Sequence, residues 1–210
     1  MHFTKQAIEE MSRVQRITYI NAVSGVKSAN LIGTISDNGQ TNVAIFNSVM
    51  HLGSDPALLG FILRPTGEVP RHTYENILKN GSYTINHVHT SFIKNAHYTS
   101  VKFNESESEF KLCGLTEEFV PNIKAPFVKE SLLKIGMQYL ESLTIERNGT
   151  LLVIGEIDHL IIPNSAIGED DDIDLAQIES VGISGLNTYY EIKKLARFPY
   201  ARRSEMPDIE

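Results

Sequence analysis

The spacing of apolar and polar positions changes period several times along the chain, and each change marks an element. Ala7, Ile8 and Met11 recur at helical spacing behind Thr4, whose hydroxyl suits an N-cap, so residues 1–15 read as a helical arm. From about Arg16 the period turns to two. Leu31 to Ser36 and Thr41 to Val49 read as strands, and Asp37-Asn38-Gly39 between them supplies the positive-φ positions of a tight hairpin. A third strand, Leu58 to Leu63, ends at Arg64-Pro65, and Thr66-Gly67-Glu68-Val69-Pro70 is turn chemistry. The spacing then predicts a helix over Arg71 to Lys79, with Pro70 at its start and Asn80-Gly81 as a left-handed cap, followed by extended Tyr83 to Asn86.

The clearest alternation runs from Leu133 through Ile145, where every odd-numbered position except Glu141 is apolar. That is the pattern of a long strand with one buried face. Asn148-Gly149 turns the chain into a second strand, Thr150 to Ile162, whose start, Leu151-Leu152-Val153-Ile154, is apolar on both faces. Paired strands of that kind need a covering layer: helices, or a second subunit. Beyond Pro163 the chain is irregular, with an acidic loop at Glu169-Asp170-Asp171-Asp172-Ile173-Asp174 and a last helix expected from Thr188 through Ala196 on capping-box spacing. The whole of 1–210 reads as one mostly-β domain with a few helices, residues 164–210 forming an irregular, partly helical extension.

Composition narrows the function. A formal net charge of −7 disfavours nucleic acid as the main partner, because a phosphate backbone needs a broad basic surface. No apolar run is long enough for a membrane helix, and the N-terminal residues do not lead into the apolar core of a secretory signal. The single cysteine, Cys113, forms no internal disulfide, so a reducing cytoplasm is the expected compartment. Its expected role is that of a small buried residue. The basic cluster Lys193-Lys194, Arg197 and Arg202-Arg203 reads as a solvated helix face.

Signatures of Rossmann dinucleotide binding, P-loop phosphate transfer, zincins, CxxC chemistry and the serine-hydrolase elbow are all missing. His87-x-His89, with His97 nearby, could chelate a transition metal if a further ligand converged; hydrogen bonding around a pocket is the simpler reading. The richest constellation lies where Phe46-Asn47-Ser48-Val49 ends one strand, Arg64 ends another, and Arg71-His72-Thr73 with Asn76 opens the helix. A helix N-terminus flanked by arginines favours an anion, such as the phosphate of a small ligand. Strand-end pairing and helix capping explain the same residues equally well.

An ordered set of fragments from Leu31 to Arg202 resembles the flavin reductase-like FMN-binding proteins with a split β-barrel. It comprises Gly39-Gln40-Thr41-Asn42-Val43-Ala44, Phe46-Asn47-Ser48-Val49, Ser54-Asp55-Pro56-Ala57-Leu58-Leu59-Gly60-Phe61, Arg71-His72-Thr73-Tyr74-Glu75-Asn76-Ile77, Tyr83-Thr84-Ile85-Asn86, Cys113-Gly114-Leu115-Thr116, Lys124-Ala125-Pro126 and Gly155-Glu156-Ile157. The resemblance implies a Greek-key split barrel of the FMN-binding type, a homodimer, and FMN held near the subunit interface. It places Asn47, Ser48 and Val49 along the ribityl chain and ring edge, and Arg71, His72, Thr73 and Asn76 at the phosphate or ribityl hydroxyls, with Arg64 as a further phosphate partner.

The activity so implied is hydride transfer from NADH or NADPH to flavin, chemistry that requires no side-chain nucleophile. Two departures qualify it. Arg147-Asn148-Gly149-Thr150 stands where many relatives carry Gly-Asp-His, and Ile45-Phe46-Asn47 where they often have Pro-Phe-Ser. The alternative is therefore a flavin carrier or sensor without reductase turnover.

Overall fold

The computed structural model describes residues 1–65, 71–104, 106–168 and 171–207 of the chain. The turn expected at Thr66–Pro70, the helix-initiating Pro70, and Glu169-Asp170 of the acidic loop lie outside the described residues. Two helices open the chain, α1 (Lys5–Glu10) and α2 (Arg13–Ala22), followed by β1 (Lys27–Ser28), β2 (Asn30–Ile35), β3 (Thr41–Phe46), β4 (Met50–Ser54) and β5 (Ala57–Leu63). Next come α3 (His72–Asn80), β6 (Ser82–His87), α4 (Ile93–Tyr98), α5 (Glu109–Leu112), β7 (Glu117–Glu118) and β8 (Phe127–Val128). The long hairpin β9 (Lys134–Ile145) and β10 (Thr150–Ile161) precedes β11 (Val181–Ser184) and β12 (Thr188–Glu191). Among the described residues no helix is long and apolar enough to cross a membrane.

Seven strands form one antiparallel sheet in the order β3-β2-β6-β9-β10-β5-β4. Its two edges, β3 and β4, are consecutive in sequence and joined by Asn47, Ser48 and Val49 alone. Laid flat, seven strands would separate those edges by about 29 Å, whereas the chain from Phe46 to Met50 reaches at most about 14 Å. The sheet must therefore curl until its edges approach, giving a split barrel. Ser48 fastens the seam: its hydroxyl donates to the Ile62 carbonyl and accepts from the Ile62 N–H, both at 3.1 Å. This replaces a ladder partner just past the last β4–β5 pair, Met50 with Gly60.

The curled sheet is covered on both faces along β2, where Leu31 and Ile32 enter different core clusters. Ile32 joins Phe61, Tyr83, Ile85 and Met137, together with Ile77 of α3. Leu31 joins Val43, Val88, Phe92, Phe110, Val181 and Ile183, because β1, β11 and β12 form a smaller sheet over that side. The segment around Pro126 lies hard against β2: a Cβ on Gly33 would meet the Pro126 carbonyl oxygen at 2.3 Å. Thr84 Oγ1 donates to that carbonyl at 2.7 Å, and the Asn86 side chain accepts from the Val128 N–H at 3.0 Å. Cys113 is buried, as expected.

Several elements differ from the sequence reading. The period-two reading from Arg16 fails because Ser12 caps α2, accepting from the Gln15 N–H at 3.2 Å, and the helix runs to Ala22. Thr188–Glu191 is strand β12 rather than a helix start, since pairing with β11 satisfies its backbone, and no helix follows through Ala196. The basic cluster is accordingly not a helix face; Lys194 instead bridges Asp172 at 2.7 Å and Asp174 at 3.2 Å of the acidic loop. Strand β4 was not anticipated, because as an edge strand its residues are largely exposed and carry no burial pattern. In β9 the buried face ends near Met137; a register break opposite Ile154 and Gly155 leaves Leu143 48% and Ile145 41% exposed. In the β2–β3 hairpin only Gly39 takes positive φ.

Two stability predictions follow from this packing. Ser48→Ala leaves the Ile62 N–H and C=O without their partner and should cost about 1–3 kcal/mol in urea unfolding; an unchanged midpoint would show that the seam does not need the hydroxyl. The His87 imidazole is pushed by burial from 6.5 down to about 4, so the neutral form is the folded one. Stability should be full above the ordinary histidine range and fall by up to about 3 kcal/mol as pH drops toward 4, since the unfolded chain takes the proton first. Comparing pH-dependent unfolding of wild type with His87→Asn checks this, and equal acid sensitivity in both would refute it.

Candidate functional site

A cavity of about 870 Å³ opens beside the barrel seam. One wall is the end of β3 and the linker, Ala44 to Ser48, continuing to Ile62, Leu63 and Arg64 at the end of β5 and to Arg71, His72 and Thr73 at the start of α3. A separate wall comes from His97 on α4 and the segment Thr99 to Asn104 that follows it. Glu109 of α5 and Ile183, Leu186 and Asn187 around the β11–β12 turn complete the lining. The cavity thus sits where the barrel split, three helices and the smaller sheet meet.

Of the residues that sequence nominated, Asn47, Ser48, Arg64, Arg71, His72 and Thr73 line this cavity, and Val49 and Asn76 do not. Val49 packs against the barrel core. Asn76 is buried under α3, its amide donating to Thr34 Oγ1 at 3.1 Å. Helical periodicity put it one turn from Thr73, but that turn faces the sheet. Thr73 belongs to the same polar cluster, accepting from Asn42 Nδ2 at 3.1 Å, and Asn42 also donates to Thr34 Oγ1 at 3.3 Å. These contacts hold the α3 start against β2 and β3. Asn47 donates through Nδ2 to the Gly185 carbonyl at 2.6 Å, tying the seam to the β11–β12 turn.

Arg71 is the most informative of the set. It occupies the N-cap of α3 without a side-chain cap; its own N–H donates to Glu75 Oε1 at 3.1 Å. One guanidinium nitrogen, Nη2, donates to the Pro65 carbonyl at 3.4 Å, while the buried Nε has no partner among the described residues. A buried N–H facing no acceptor is costly unless a ligand supplies one. The first-turn amides of α3 lie beside it, and their N–H groups have no intrahelical acceptor.

The charge of the lining is opposite to that of the chain. Arg64, Arg71 and Lys102 bring fixed positive charge, while Glu109 is the one acidic residue among the described lining residues. Burial, the chief influence on Glu109, raises its carboxyl above the ordinary range; backbone N–H groups of Glu109 and Val43 and the nearby His72 oppose that shift. Three fixed cations against one carboxylate leave the cavity lining net positive on a chain of net charge −7.

His87, His89 and His97 do not converge. His87 Nδ1 faces Ser180 Oγ at 3.3 Å, His89 Nδ1 faces Ser91 Oγ at 2.9 Å, and His97 Nδ1 faces Tyr189 OH at 2.9 Å. Among the described residues no group of three metal-ligating side chains occurs. The Arg147-Asn148-Gly149-Thr150 turn lies outside the cavity lining, at the tip of the β9–β10 hairpin. Of the wall formed by His97, Thr99–Asn104 and Glu109 the sequence singled out His97 alone, read as hydrogen bonding around a pocket, as it does here; Thr99–Asn104 and Glu109 come from separate short segments with no motif, and only the fold assembles them.

Comparison with known proteins agrees with this architecture. Residues 24–176 match the flavin reductase like domain. A split-barrel protein of Shewanella frigidimarina NCIMB 400, assigned as a flavin reductase, is 49% identical, with 96% of this chain and 100% of that one covered and a TM-score of 0.91. At 16% identity, the 2-nitrobenzoate 2-nitroreductase of Pseudomonas fluorescens shares the fold over 99% of each chain with a TM-score of 0.81. The flavoredoxin of Desulfovibrio vulgaris (Miyazaki F) does so at 21% identity over 84% of this chain and 92% of its own, with a TM-score of 0.72. No curated protein matches the sequence. With the greater part of its length matched to the domain and with the split-barrel topology that the sequence led us to expect, the chain belongs to the flavin reductase-like family.

Proposed function

We propose that the protein binds FMN in the cavity beside the barrel seam and works as a flavin reductase-type oxidoreductase that takes hydride from NADH or NADPH. Membership of the family supports a flavin-related oxidoreductase role. The observation that carries FMN in particular is the buried Arg71 Nε with no partner, beside the amides of the α3 N-terminus and on a positively charged lining. A phosphate supplies the acceptor that these donors lack.

In this reading Arg71, the α3 amides and His72 hold the phosphate, with Arg64 adding charge at the exposed rim. Asn47 and Ser48 lie along the ribityl chain and ring edge, where their backbone groups fix the ligand's orientation against the seam. Val49 and Asn76 serve the fold instead. FMN supplies the hydride-accepting chemistry, so the chain's own task is to bind, orient and keep water from the ring. Phe46, Ile62, Leu63 and Leu186 supply the apolar lining for that task.

A carrier or sensor that binds flavin without turnover is the second reading. It draws on one feature: the Arg147–Thr150 turn has no histidine and lies away from the cavity.

The reading also includes a homodimer. Leu143, Ile145, Leu140, Met50 and Leu52 are exposed on the curled sheet. No residue of α1 or α2 is buried, although Val14, Ile17 and Ile20 of α2 are apolar. A ten-residue helix is marginal alone, and a second copy of the chain offers both surfaces a cover. The lone, buried Cys113 suits the reducing cytoplasm included in the proposal.

Titration with FMN, followed by anaerobic addition of each nicotinamide, tests the function. Wild type should bind FMN, Arg71→Ala should weaken binding by about 1.5–3 kcal/mol, and NADH or NADPH should bleach the bound flavin. Protein that ignores FMN would remove the proposal; bound flavin that no nicotinamide bleaches would favour the carrier. Sedimentation should give the mass of two chains, and a monomer at micromolar concentration would remove the dimer.

A further inference from the structure

The cavity has a second cationic wall that the proposed flavin contacts leave unused. Its volume of about 870 Å³ lies toward the upper end of the roughly 300–1,000 Å³ typical of small-molecule sites. Arg64, Arg71 and His72 gather at the β5 and α3 side, whereas His97 and Lys102 come from α4 and the segment after it. His97 is held from both sides. Its Nδ1 pairs with Tyr189 OH at 2.9 Å, and its ring stands edge-on to Tyr98 and Tyr189, with centroids 5.5 and 5.8 Å away. The other ring nitrogen, Nε2, has no partner among the described residues although the residue lines the cavity.

The backbone after His97 is fixed as well. Ser100 donates to the His97 carbonyl through its N–H at 3.1 Å and its hydroxyl at 2.7 Å, and the Val101 N–H donates to the Tyr98 carbonyl at 3.1 Å. This tight turn starts the segment that carries Lys102 along the same wall. Tyr189 keeps its proton, because partial burial raises its phenol above the ordinary value. Where its hydroxyl donates to Nδ1, the Nε2 of His97 is left to carry an N–H toward a ligand.

We infer that His97, positioned by Tyr189, forms with Lys102 a second anion subsite, which receives a phosphate or carboxylate group of the reactant that meets the flavin. The inference rests on the proposed function for the identity of the neighbouring ligand, but the subsite is defined by this chain's own donors. One imidazole N–H and one ammonium on a separate wall suit an anionic oxygen group, and the positive lining concentrates such reactants from solution. Tyr189 acts as a positioning residue and makes no contact with the reactant.

Equilibrium titration with two probes tests this: NADPH as a phosphate source and benzoate as a carboxylate source, each with the full-length protein in the presence and absence of saturating FMN. At least one probe should bind wild type. His97→Gln and Lys102→Met should each weaken that binding about tenfold, as expected for loss of a charged or strongly polar donor. Tyr189→Phe, which deletes only the hydroxyl, should weaken it several-fold, and Lys102→Arg should retain it. The affinity for FMN should stay the same in all four variants. The subsite is overturned if neither probe binds, if His97→Gln and Lys102→Met leave probe affinity unchanged, or if FMN affinity falls in proportion with probe affinity. If FMN fails to bind while the probes respond as expected, the proposed function falls and the subsite stands.

Discussion

A length mismatch governs this molecule. The two edges of a seven-stranded sheet are tied by a three-residue linker far too short to span a flat sheet, so the sheet has to curl. Curling brings the end of β3 next to the end of β5, and Ser48 replaces the ladder partner that the imperfect closure leaves out. The cavity is a by-product of the same constraint: a barrel that stops short of closing has a seam, and side chains at a seam have neither a full ladder nor a full core to fill.

What surrounds the seam gives the gap its shape and its charge. The Asn42–Thr34–Thr73–Asn76 cluster fixes α3 so that its N-terminus points at the gap. Asn47 ties the gap to the smaller sheet through Gly185, and that sheet brings Tyr189 to His97. The helix start that carries Arg71 and His72 is thus seated by buried polar contacts of its neighbours Thr73 and Asn76. A lining that carries positive charge on an acidic chain implies an anionic occupant, because the surrounding field would otherwise favour cations.

The exposed apolar surface has a related origin. The β9–β10 hairpin extends beyond the covered part of the barrel, and the register break in β9 turns the remaining apolar side chains outward. Alternation in Leu133 to Ile145 marked the buried residues as far as Met137, and the register break then turned Leu143 and Ile145 to the exposed side. Period-two spacing alone could not locate that break.

Local chemistry made much of the fold readable. Thr4 as a helix cap, Gly39 in the hairpin, Gly81 as the left-handed cap of α3 and Gly149 in the long hairpin each act within a few residues, so spacing alone located them. The ordered strand-end and helix-start segments likewise pointed to Arg71, His72 and Thr73, which do line the cavity. Tertiary structure decided the rest. Thr188–Glu191 has the spacing of a helix start but becomes a strand because β11 offers it a ladder, and β4 forms because β5 offers an edge. Val49 and Asn76 turn away from the cavity although their sequence neighbours enter it, since the face a side chain takes is set by what packs behind it. His97, Lys102 and Glu109 form one surface only after distant segments fold together. A one-dimensional pattern records local spacing, whereas a site depends on distances through space, and here the curl of the sheet sets those distances.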